Sequence, residues 1–425
     1  MSFVATSPDL DTGRPEGAAS ALRTTIAVRE RAQHLLQRAR VGASRWFSVH
    51  DEALQAAATE VVDVTRARYP SLKIPYHSRW RHFEAGGVDR KAELDARLAA
   101  LDAPGRARAM IDLAVVSVLL DAGAGPDWHY HEVASGQRFA RSEGLGVASW
   151  HAFLGGLFSS DATHPLQVDA VGLRGLVADR LAAVCQVGPS NPLVGLEGRV
   201  LLLRRLGEAL AAQPEVFGPQ GRPGGLFDLL VAPQGPATLP PTATVAAHGI
   251  LSQLLMSLSG IWPAENAIGT QPLGDCWRHE AVPGPGLTQG WMPFHKLSQW
   301  LSYSLLEPFE WAGVTVEGLD ALTGLPEYRN GGLLLDTGVL RLRDAAWAAR
   351  TWTAGDELVV EWRALTVALL DELAPLVRAR LGVDAAQMPL ACVLEGGTWA
   401  AGRALAQRLR GGLPPLAIVS DGTVF

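Results

Sequence analysis

The chain has 425 residues, of which 48% are hydrophobic and 19% charged, and it carries a formal net charge of −6 with a pI near 6.0. This composition is typical of a globular protein and argues against a disordered chain. The acidic balance argues against a general nucleic-acid surface, which needs a basic face, although a small anion site needs only a few donors.

Three further features predict a cytoplasmic protein that does not enter the membrane. The cysteines are Cys185, Cys276 and Cys392, too few and too scattered for a disulfide framework. The N-terminus lacks the basic start and apolar core of a signal peptide. The long uncharged stretch over residues 229–264 contains His248 and several serines, which are costly in lipid, so we interpret its apolar stripe as a buried helix.

The predicted elements divide the chain into three parts. Residues 1–20 are expected to form a flexible N-terminal arm, and residues 21–310 a helical body. Within the body, a Pro- and Gly-rich stretch over 214–243 predicts a long surface loop. Apolar periodicity predicts helices in the ranges 24–68 (with a break near Trp46), 92–100, 105–121, 145–158, 166–187, 191–211, 245–261 and 294–306.

Residues 311–425 show a different pattern, which predicts an α+β part packed on the body. Residues 332–342 resemble a β-hairpin turning at 336–338, and 359–381 a long helix. Short strands are expected at 389–394 and 416–420, on either side of a helix at 398–410. A strand–helix–strand unit with short links favours parallel pairing. The predicted fold class is therefore mainly α, with a small α/β element at the C-terminal end.

Tryptophan recurs beside histidine and carboxylate, as in D-W-H-Y-H-E at 127–132 and W-R-H-E at 277–280. Three interpretations are open. His129 and His131, with Asp127 or Glu132, could ligate zinc or iron, but the spacing is not that of a helical metal motif. The rings could instead stack on a planar ligand while polar groups bind its edges. The third interpretation is packing at helix ends.

A second candidate is the string L-E-G-G-T-W-A-A-G-R at 394–403. If a buried strand ends at Glu395, then Gly396, Gly397 and Thr398 open a helix whose free N–H groups could bind a phosphate. Arg403, about one turn further on, could contact the same anion. The alternative is a tight strand–helix turn capped by Thr398.

Three other polar segments contain candidate ligand contacts. The segment T-G-L-P-E-Y-R-N-G-G at 323–332 places Glu327, Tyr328, Arg329 and Asn330 in a predicted loop, where the alternative is an Arg–Glu pair that holds the loop. The segment at 141–144 includes Arg141 and Glu143 at a helix start, where a capping turn is the alternative. Along 293–302, His295 and Gln299 share one helix face, which could line a cleft or meet water.

Long motifs give the chain a resemblance to the uracil-catabolism protein family of fungi and bacteria. They include N-P-L-V-G-L-E-G-R at 191–199, P-F-H-K-L-S-Q-W-L at 293–301, L-T-G-L-P-E-Y-R-N-G-G at 322–332 and L-E-G-G-T-W-A-A-G-R at 394–403. The resemblance covers roughly residues 25–425. The chain is also distantly similar to queuosine-salvage glycohydrolases, through residues 327–329 and 361–381, which implies a helical DNA-glycosylase-like body.

The resemblance implies a step in pyrimidine degradation. The route passes through a ribosylurea and releases urea, so an N-glycohydrolase acting on ribosylurea 5′-phosphate or a related ribosyl phosphate is expected. Glu327 or Asp127 would be catalytic, because an ionised carboxylate stabilises a cationic sugar transition state. The family has basic residues where this chain has His129 and His131, which favours substrate contact over metal binding.

The remaining expectations assign the other site residues. The expected substrate contacts are Trp128, His129, His131, Arg141, Glu143, His295, Gln299, Tyr328, Arg329 and Asn330, and the expected phosphate contacts are Gly396, Gly397, Thr398 and Arg403. No metal, cofactor or nucleic acid is expected. Two alternatives stay open: a phosphoribosyl-transfer or ring-opening enzyme acting on a uridine nucleotide, and a non-catalytic nucleotide-binding partner of another enzyme. A homo-oligomer is also possible.

Overall fold

The structure is a computed structural model that describes residues 10–231, 243–262 and 266–419, and most of these residues are helical. The α-helices of the described residues are α1 (Pro15–Leu22), α2 (Thr25–Arg40), α3 (Leu54–Arg68), α4 (Trp80–Phe83), α5 (Arg90–Arg97), α6 (Ala103–Leu119), α7 (Arg141–Leu154), α8 (Ala170–Arg174), α9 (Ala178–Val184), α10 (Leu196–Ala211), α11 (Pro214–Phe217), α12 (Gly225–Val231), α13 (Ala247–Leu258), α14 (Lys296–Trp311), α15 (Tyr328–Asp336), α16 (Glu357–Leu381), α17 (Leu390–Val393) and α18 (Trp399–Arg410). A π-helical turn, Leu394–Thr398, joins α17 to α18.

The strands are two to four residues long and form two-stranded sheets among the described residues. They are β1 (Phe47–Val49), β2 (His129–Glu132), β3 (Gln137–Ala140), β4 (Thr244–Ala246), β5 (Ala267–Ile268), β6 (Gln271–Pro272), β7 (Cys276–Arg278), β8 (Trp291–Pro293), β9 (Thr315–Glu317), β10 (Leu340–Leu342), β11 (Thr351–Thr353) and β12 (Ala417–Val419). Antiparallel pairs are β1–β10, β2–β3, β5–β6 and β7–β8; β4–β9 and β11–β12 are parallel. The predicted class, mainly α with small β elements, is confirmed.

The central helix is α16, which is buried on almost all sides over its first fourteen residues. A helix that is apolar around its whole circumference belongs inside a large core. It packs against α2, α3 and α15, while α14 packs against α6 and α13. The predicted helices at 105–121, 294–306 and 359–381 correspond to α6, α14 and α16.

The uncharged stretch over residues 229–264 contains α13, and the buried side of this helix includes Ile250, Leu251 and Leu254. This agrees with the predicted buried helix. No helix of the described residues combines the length and apolar character needed to cross a bilayer.

The predicted hairpin at 332–342 is wrong, because its first half is the helix α15. Leu333 and Leu334 are both fully buried, as a helix packed on two sides allows. Gly331 lies against the indole of Trp362, where a Cβ would come within 2.7 Å of the ring. Gly331 therefore permits close helix packing and is not part of a turn. The strand β10 pairs with β1, near the predicted break at Trp46.

The predicted strand at 389–394 is also wrong, because this segment is α17 and the start of the π-helical turn. Every residue of α17 is buried. A short run buried on all sides has no periodicity to separate strand from helix. The strand near 416–420 exists as β12, but its parallel partner is β11, before α16.

Parts of the predicted arm and surface loop are helical. Within residues 1–20, α1 begins at Pro15 and packs Ala18 and Ala19 against a cluster that includes Trp291. The predicted loop at 214–243 contains α11 and α12, with Phe217 buried. The loop prediction rested on proline and glycine content, yet proline is well tolerated in the first turn of a helix. Residues 1–9 and 232–242 lie outside the described residues.

Replacing Gly402 by Ala is expected to destabilise the contact between α15 and α18. A Cβ at Gly402 would lie 2.0 Å from the carbonyl oxygen of Arg329. Overpacking of this kind costs about 1–3 kcal/mol of unfolding free energy, measured by guanidinium chloride denaturation. The matched control is Gly249→Ala in α13, where the new Cβ would lie 3.8 Å from the Ala246 Cβ and the helix should gain roughly 0.5–1 kcal/mol. Equal stability of both variants would contradict the close packing.

Candidate functional site

A cavity of about 680 Å³ lies between α7, α14, α15, α18 and the loops that follow α3 and α6. Its described lining includes these polar and aromatic side chains: Arg68, His77, Arg81, His82, Asp121, Arg141, Ser142, Glu143, Lys296, Trp300, Glu327, Tyr328, Arg329, Glu395, Trp399 and Arg403. Its volume suits a sugar phosphate or a nucleotide fragment.

Cationic side chains outnumber carboxylates in this lining. Among the described lining residues, six Lys or Arg side chains face four Asp or Glu side chains, an excess of two positive charges. Three of the arginines share one wall. Arg403 Nη1 is 3.0 Å from Oε1 of Glu143, which follows Arg141 by two residues in the chain. Gly402, next to Arg403, packs on the backbone of Arg329. Such a wall favours an anionic ligand.

Glu327 is the N-cap of α15. Its Oε1 accepts a hydrogen bond from the Asn330 N–H at 2.5 Å, and its Oε2 accepts one from the Arg329 N–H at 2.8 Å. Asp and Glu carboxylates bind the free N–H groups of a helix start, and the adjacent helix dipole favours their charge. Burial raises the pKa of Glu327, while these two backbone bonds and the Lys296 charge lower it. Burial has the larger effect, so the pKa of this partly buried carboxylate at the cavity wall is raised.

Three predicted substrate contacts have partners within the protein, and two of them, Gln299 and Asn330, hold the segment that carries Glu327. Gln299 is buried; its Oε1 accepts from the Thr323 N–H at 3.1 Å, and its Nε2 donates to Thr323 Oγ1. The fully buried Asn330 donates from Nδ2 to the Leu325 carbonyl at 3.1 Å. His295 faces away, with Nε2 3.0 Å from the Leu22 carbonyl of α1. None of the three lies in the described cavity lining.

An ion pair beneath the cavity holds the start of α14. Asp275 accepts two bonds of 2.8 Å from the guanidinium of Arg363, and its Oδ2 also accepts one of 2.9 Å from the Lys296 N–H. Arg363 donates from Nε to the Pro326 carbonyl at 3.3 Å. Burial, followed by the nearby Arg363 charge, lowers the pKa of Lys296. This pair therefore fixes both Lys296 and the backbone next to Glu327.

A second buried group surrounds Asp121. Its Oδ2 is 3.1 Å from Nη1 of Arg79, a fully buried residue. Its Oδ1 has no hydrogen-bond partner among the described residues. His82 packs edge-on against Trp300 with ring centroids 5.6 Å apart. Burial and the Arg79 charge lower the pKa of His82 to about 3, so this imidazole is neutral at physiological pH.

The π-helical turn brings Glu395 into the cavity wall. Its Oε2 lies 2.9 Å from His77 Nδ1, and its Oε1 accepts from Arg68 Nη2 at 2.7 Å and from the Tyr69 hydroxyl at 3.0 Å. Burial raises the pKa of Glu395, but the hydrogen bond from His77 and the charges of His77 and Arg68 lower it to about 2. π-Helical turns inside α-helices are often found at functional sites.

The helix start predicted at 396–398, on which the phosphate site depended, is wrong, because no helix begins there. Gly396, Gly397 and Thr398 lie inside a continuous helical run from α17 to α18 and are buried. A Cβ at Gly397 would lie 2.5 Å from the carbonyl oxygen of Val61 in α3. The glycines therefore let the turn pack on α3. Of the predicted phosphate contacts, Arg403 alone is found in the described lining.

The 127–132 segment lies outside the described cavity lining, although Gly125 and Pro126 belong to it. Trp128 is fully buried and donates from Nε1 to the Cys185 carbonyl at 3.0 Å. Asp127 and His131 are exposed. His129 has its N–H bonded to the Asn191 side chain at 2.9 Å. These residues therefore have no place in the site described here.

The alternative of metal binding at 127–132 also lacks geometric support. Glu132, one of its possible ligands, is buried and engaged by Arg90 at 2.5 Å and by His151 Nε2 at 2.7 Å. Among the described residues, no group of three or more His, Cys, Asp or Glu side chains has a spacing that could hold a metal ion.

The cavity brings together the predicted residues Arg141, Glu143, Glu327, Tyr328, Arg329 and Arg403. Nine other polar or aromatic residues of the lining were not predicted from the sequence: Arg68, His77, Arg81, His82, Asp121, Lys296, Trp300, Glu395 and Trp399. One signal was available on α14, where Lys296 and Trp300 are four residues apart and share a face. Because the neighbouring face, with His295 and Gln299, also contains polar residues, the sequence pattern did not separate the two faces.

Comparison with known proteins places this architecture in a family. Residues 21–425 match the family described as "Protein of unknown function (DUF1688)". The chain is 40% identical over 379 residues to "Uracil catabolism protein 4" of Lachancea kluyveri, covering 83% of this chain and 85% of that protein. It is 39% identical over 407 residues to "Protein urg3" of Schizosaccharomyces pombe, covering 94% and 96%. The resemblance to the uracil-catabolism proteins is thereby confirmed, and the chain belongs to the DUF1688 family.

Proposed function

We propose that this protein acts in uracil catabolism as an N-glycohydrolase that cleaves ribosylurea 5′-phosphate, or a closely related ribosyl phosphate, to urea and ribose 5-phosphate. The observation that carries the proposal is the cavity, which is lined both by the arginine-rich wall and by Glu327. The name of the Lachancea kluyveri relative supports the pathway.

The arginine wall would hold the 5′-phosphate. Arg141, Arg329 and Arg403 supply planar guanidinium groups, which match phosphate oxygens better than a lysine does. Arg329 is buried, and its Nε has no hydrogen-bond partner among the described residues. A phosphate could use this donor and offset its burial.

Glu327 would act at the sugar. As the C1′–N bond breaks, positive charge develops on the ribose, and an ionised carboxylate stabilises that charge or takes a proton from the attacking water. Burial raises the pKa of Glu327, which makes it a better base than a fully exposed carboxylate. Trp300, Tyr328 and Trp399 supply ring faces for the flat urea group.

The direct test follows urea and ribose 5-phosphate together after the pure protein is mixed with ribosylurea 5′-phosphate. Equal release of both products supports the glycohydrolase. Tight binding without release would contradict it and favour a binding protein that depends on a partner enzyme. Release of pyrophosphate, or ring opening of a uridine nucleotide, would favour the transferase or ring-opening alternatives.

Replacing Arg141 by Gln is expected to raise KM for the phosphorylated substrate by roughly 10- to 100-fold, because a hydrogen bond to a charged group contributes about 1.5–3 kcal/mol. The Arg141 side chain lines the cavity and forms no hydrogen bond or ion pair with the described residues, so the change orphans no partner. Ribosylurea without the phosphate is the control, since wild type and variant should hydrolyse it equally. An equal KM increase for both compounds would contradict phosphate binding by Arg141.

A further inference from the structure

His77 lines the same cavity as Glu327 and is paired with a buried carboxylate. It lies in the loop between α3 and α4, and its N–H donates to the Ala391 carbonyl of α17 at 3.0 Å. The backbone of His77 is therefore tied to the helix that leads into the π-helical turn. Its side chain lines the cavity and is 12% exposed. Glu327 lines the same cavity.

One ring nitrogen of His77 is occupied and the other is available. Nδ1 lies 2.9 Å from Oε2 of Glu395. An ionised carboxylate can only accept hydrogen bonds, so Nδ1 carries the proton. No hydrogen bond to Nε2 occurs among the described residues. A histidine whose Nδ1–H is held by a buried carboxylate presents Nε2 for proton transfer, as in hydrolytic triads.

Glu395 is rigid enough to orient the imidazole. Its other oxygen accepts from Arg68 and the Tyr69 hydroxyl, and Arg68 also donates to the backbone carbonyl of Glu395. The residue is 6% exposed and sits in the π-helical turn, where one extra residue per turn changes the direction of the side chains. Without that turn, Glu395 would not have its present direction.

Another histidine–carboxylate pair shows what a purely structural pair looks like here. His279 Nε2 lies 3.1 Å from Glu361 Oε2, and both side chains are 3% exposed. Neither residue is in the described cavity lining. His77 differs because its side chain lines the cavity, which Glu327 and the arginine wall also line. The location, and not the pairing alone, points to a chemical role.

We propose that His77 is the proton donor to the leaving nitrogen of the substrate and that Glu395 is its positioning residue. This role rests on the proposed function, for which no acid that protonates the leaving nitrogen has yet been assigned. The nitrogen of a departing urea is a poor leaving group unless it receives a proton, and Glu327 cannot both stabilise the sugar cation and supply that proton.

The proton balance of the step is complete with these two residues. In the starting state His77 is an imidazolium with a proton on each ring nitrogen. The C1′–N bond breaks, its electron pair stays on nitrogen, and His77 gives its Nε2 proton to that nitrogen to form urea, which leaves a neutral imidazole protonated on Nδ1. Water forms the new C1′–O bond and gives one proton to Glu327. His77 then regains a proton from solvent and Glu327 releases one, so both return to their starting states.

The test compares His77→Gln and Glu395→Gln with wild type in the urea-release assay. His77→Gln should lower kcat by roughly 10²–10⁴-fold with little change in KM. Glu395→Gln should lower kcat less and move the alkaline limb of the pH–rate profile, which simple damage would not do. The matched control is His164→Gln, which removes an exposed histidine 2.7 Å from Asp161 and should have no effect.

A substrate that needs no proton separates a chemical role from damage to the fold. If urea is replaced by 4-nitrophenolate, which departs as a stable anion, His77→Gln should regain near-wild-type turnover. Continued loss on that compound would overturn the proton-donor role, as would wild-type urea release by His77→Gln. No urea release by wild type would instead overturn the proposed function, and the donor role with it.

Discussion

Replacing Glu327 by Gln is expected to lower kcat for urea release by roughly 10²–10⁴-fold, the usual range for a positioned proton-transfer group. The amide cannot take a proton from water or balance a sugar cation. Its oxygen can still accept from the Asn330 or Arg329 N–H, so the cap of α15 is kept in part. Initial rates across substrate concentrations measure the effect, with KM changing little.

The matched control for Glu327 is Asp127→Asn. Asp127 is the other carboxylate that the sequence favoured, but it is exposed and outside the described cavity lining. Its variant should keep wild-type kcat. Turnover within about threefold of wild type in Glu327→Gln, or a large loss in Asp127→Asn, would contradict the assignment made from the cavity. The thermal midpoint of each variant shows whether the fold is kept.

Replacing Arg363 by Met is expected to cost about 3–5 kcal/mol of unfolding free energy, because removing one partner of a buried ion pair leaves the other charge uncompensated. Arg363 and Asp275 have side chains only 1% and 8% exposed. Guanidinium chloride denaturation measures the loss. The matched control is Arg97→Met, which breaks the exposed pair with Glu93 and should cost at most about 1 kcal/mol. Similar losses for both variants would contradict a dominant buried pair.

The same ion pair gives a pH signature. Burial raises the pKa of Asp275, but the charge and hydrogen bonds of Arg363, with the Lys296 N–H, lower it to about 2. An unfolded Asp titrates at about 3.9, so the pair stabilises the fold above that pH. This stability is lost as the pH falls from about 4 towards 2. Guanidinium chloride denaturation at several pH values in this range gives the unfolding free energy at each pH. That free energy should change less with pH in Arg363→Met than in wild type.

This stability effect reaches the site through the backbone. Asp275 accepts from the Lys296 N–H, and Arg363 donates to the Pro326 carbonyl. Both bonds end next to cavity residues, because Lys296 and Glu327 are in the lining. We therefore expect residual folded Arg363→Met protein to show reduced kcat as well as reduced stability.

Local sequence rules predicted the elements that have a regular apolar stripe or a distinctive contiguous motif. The stripes of α6 and α14, and the length of α16, identified three main helices. The P-E-Y-R-N-G-G string marked Glu327, Tyr328 and Arg329 as a unit, and these three line the cavity. The sequence could not show that Glu327 caps a helix, because the glycines after it resemble a turn until the packing against Trp362 is known.

Tertiary structure alone decided the rest of the site. His77 and Glu395 are 318 residues apart in the chain, and only the packing of the π-helical turn on α3 brings them within 2.9 Å. The same packing buries Gly396 and Gly397, and no helix begins at the predicted phosphate site. Thus the sequence by itself determined the helical class, the family and the Glu327 segment, since these depend on local periodicity and contiguous motifs. The opposite wall of the cavity depends on contacts between distant segments, which local patterns do not encode.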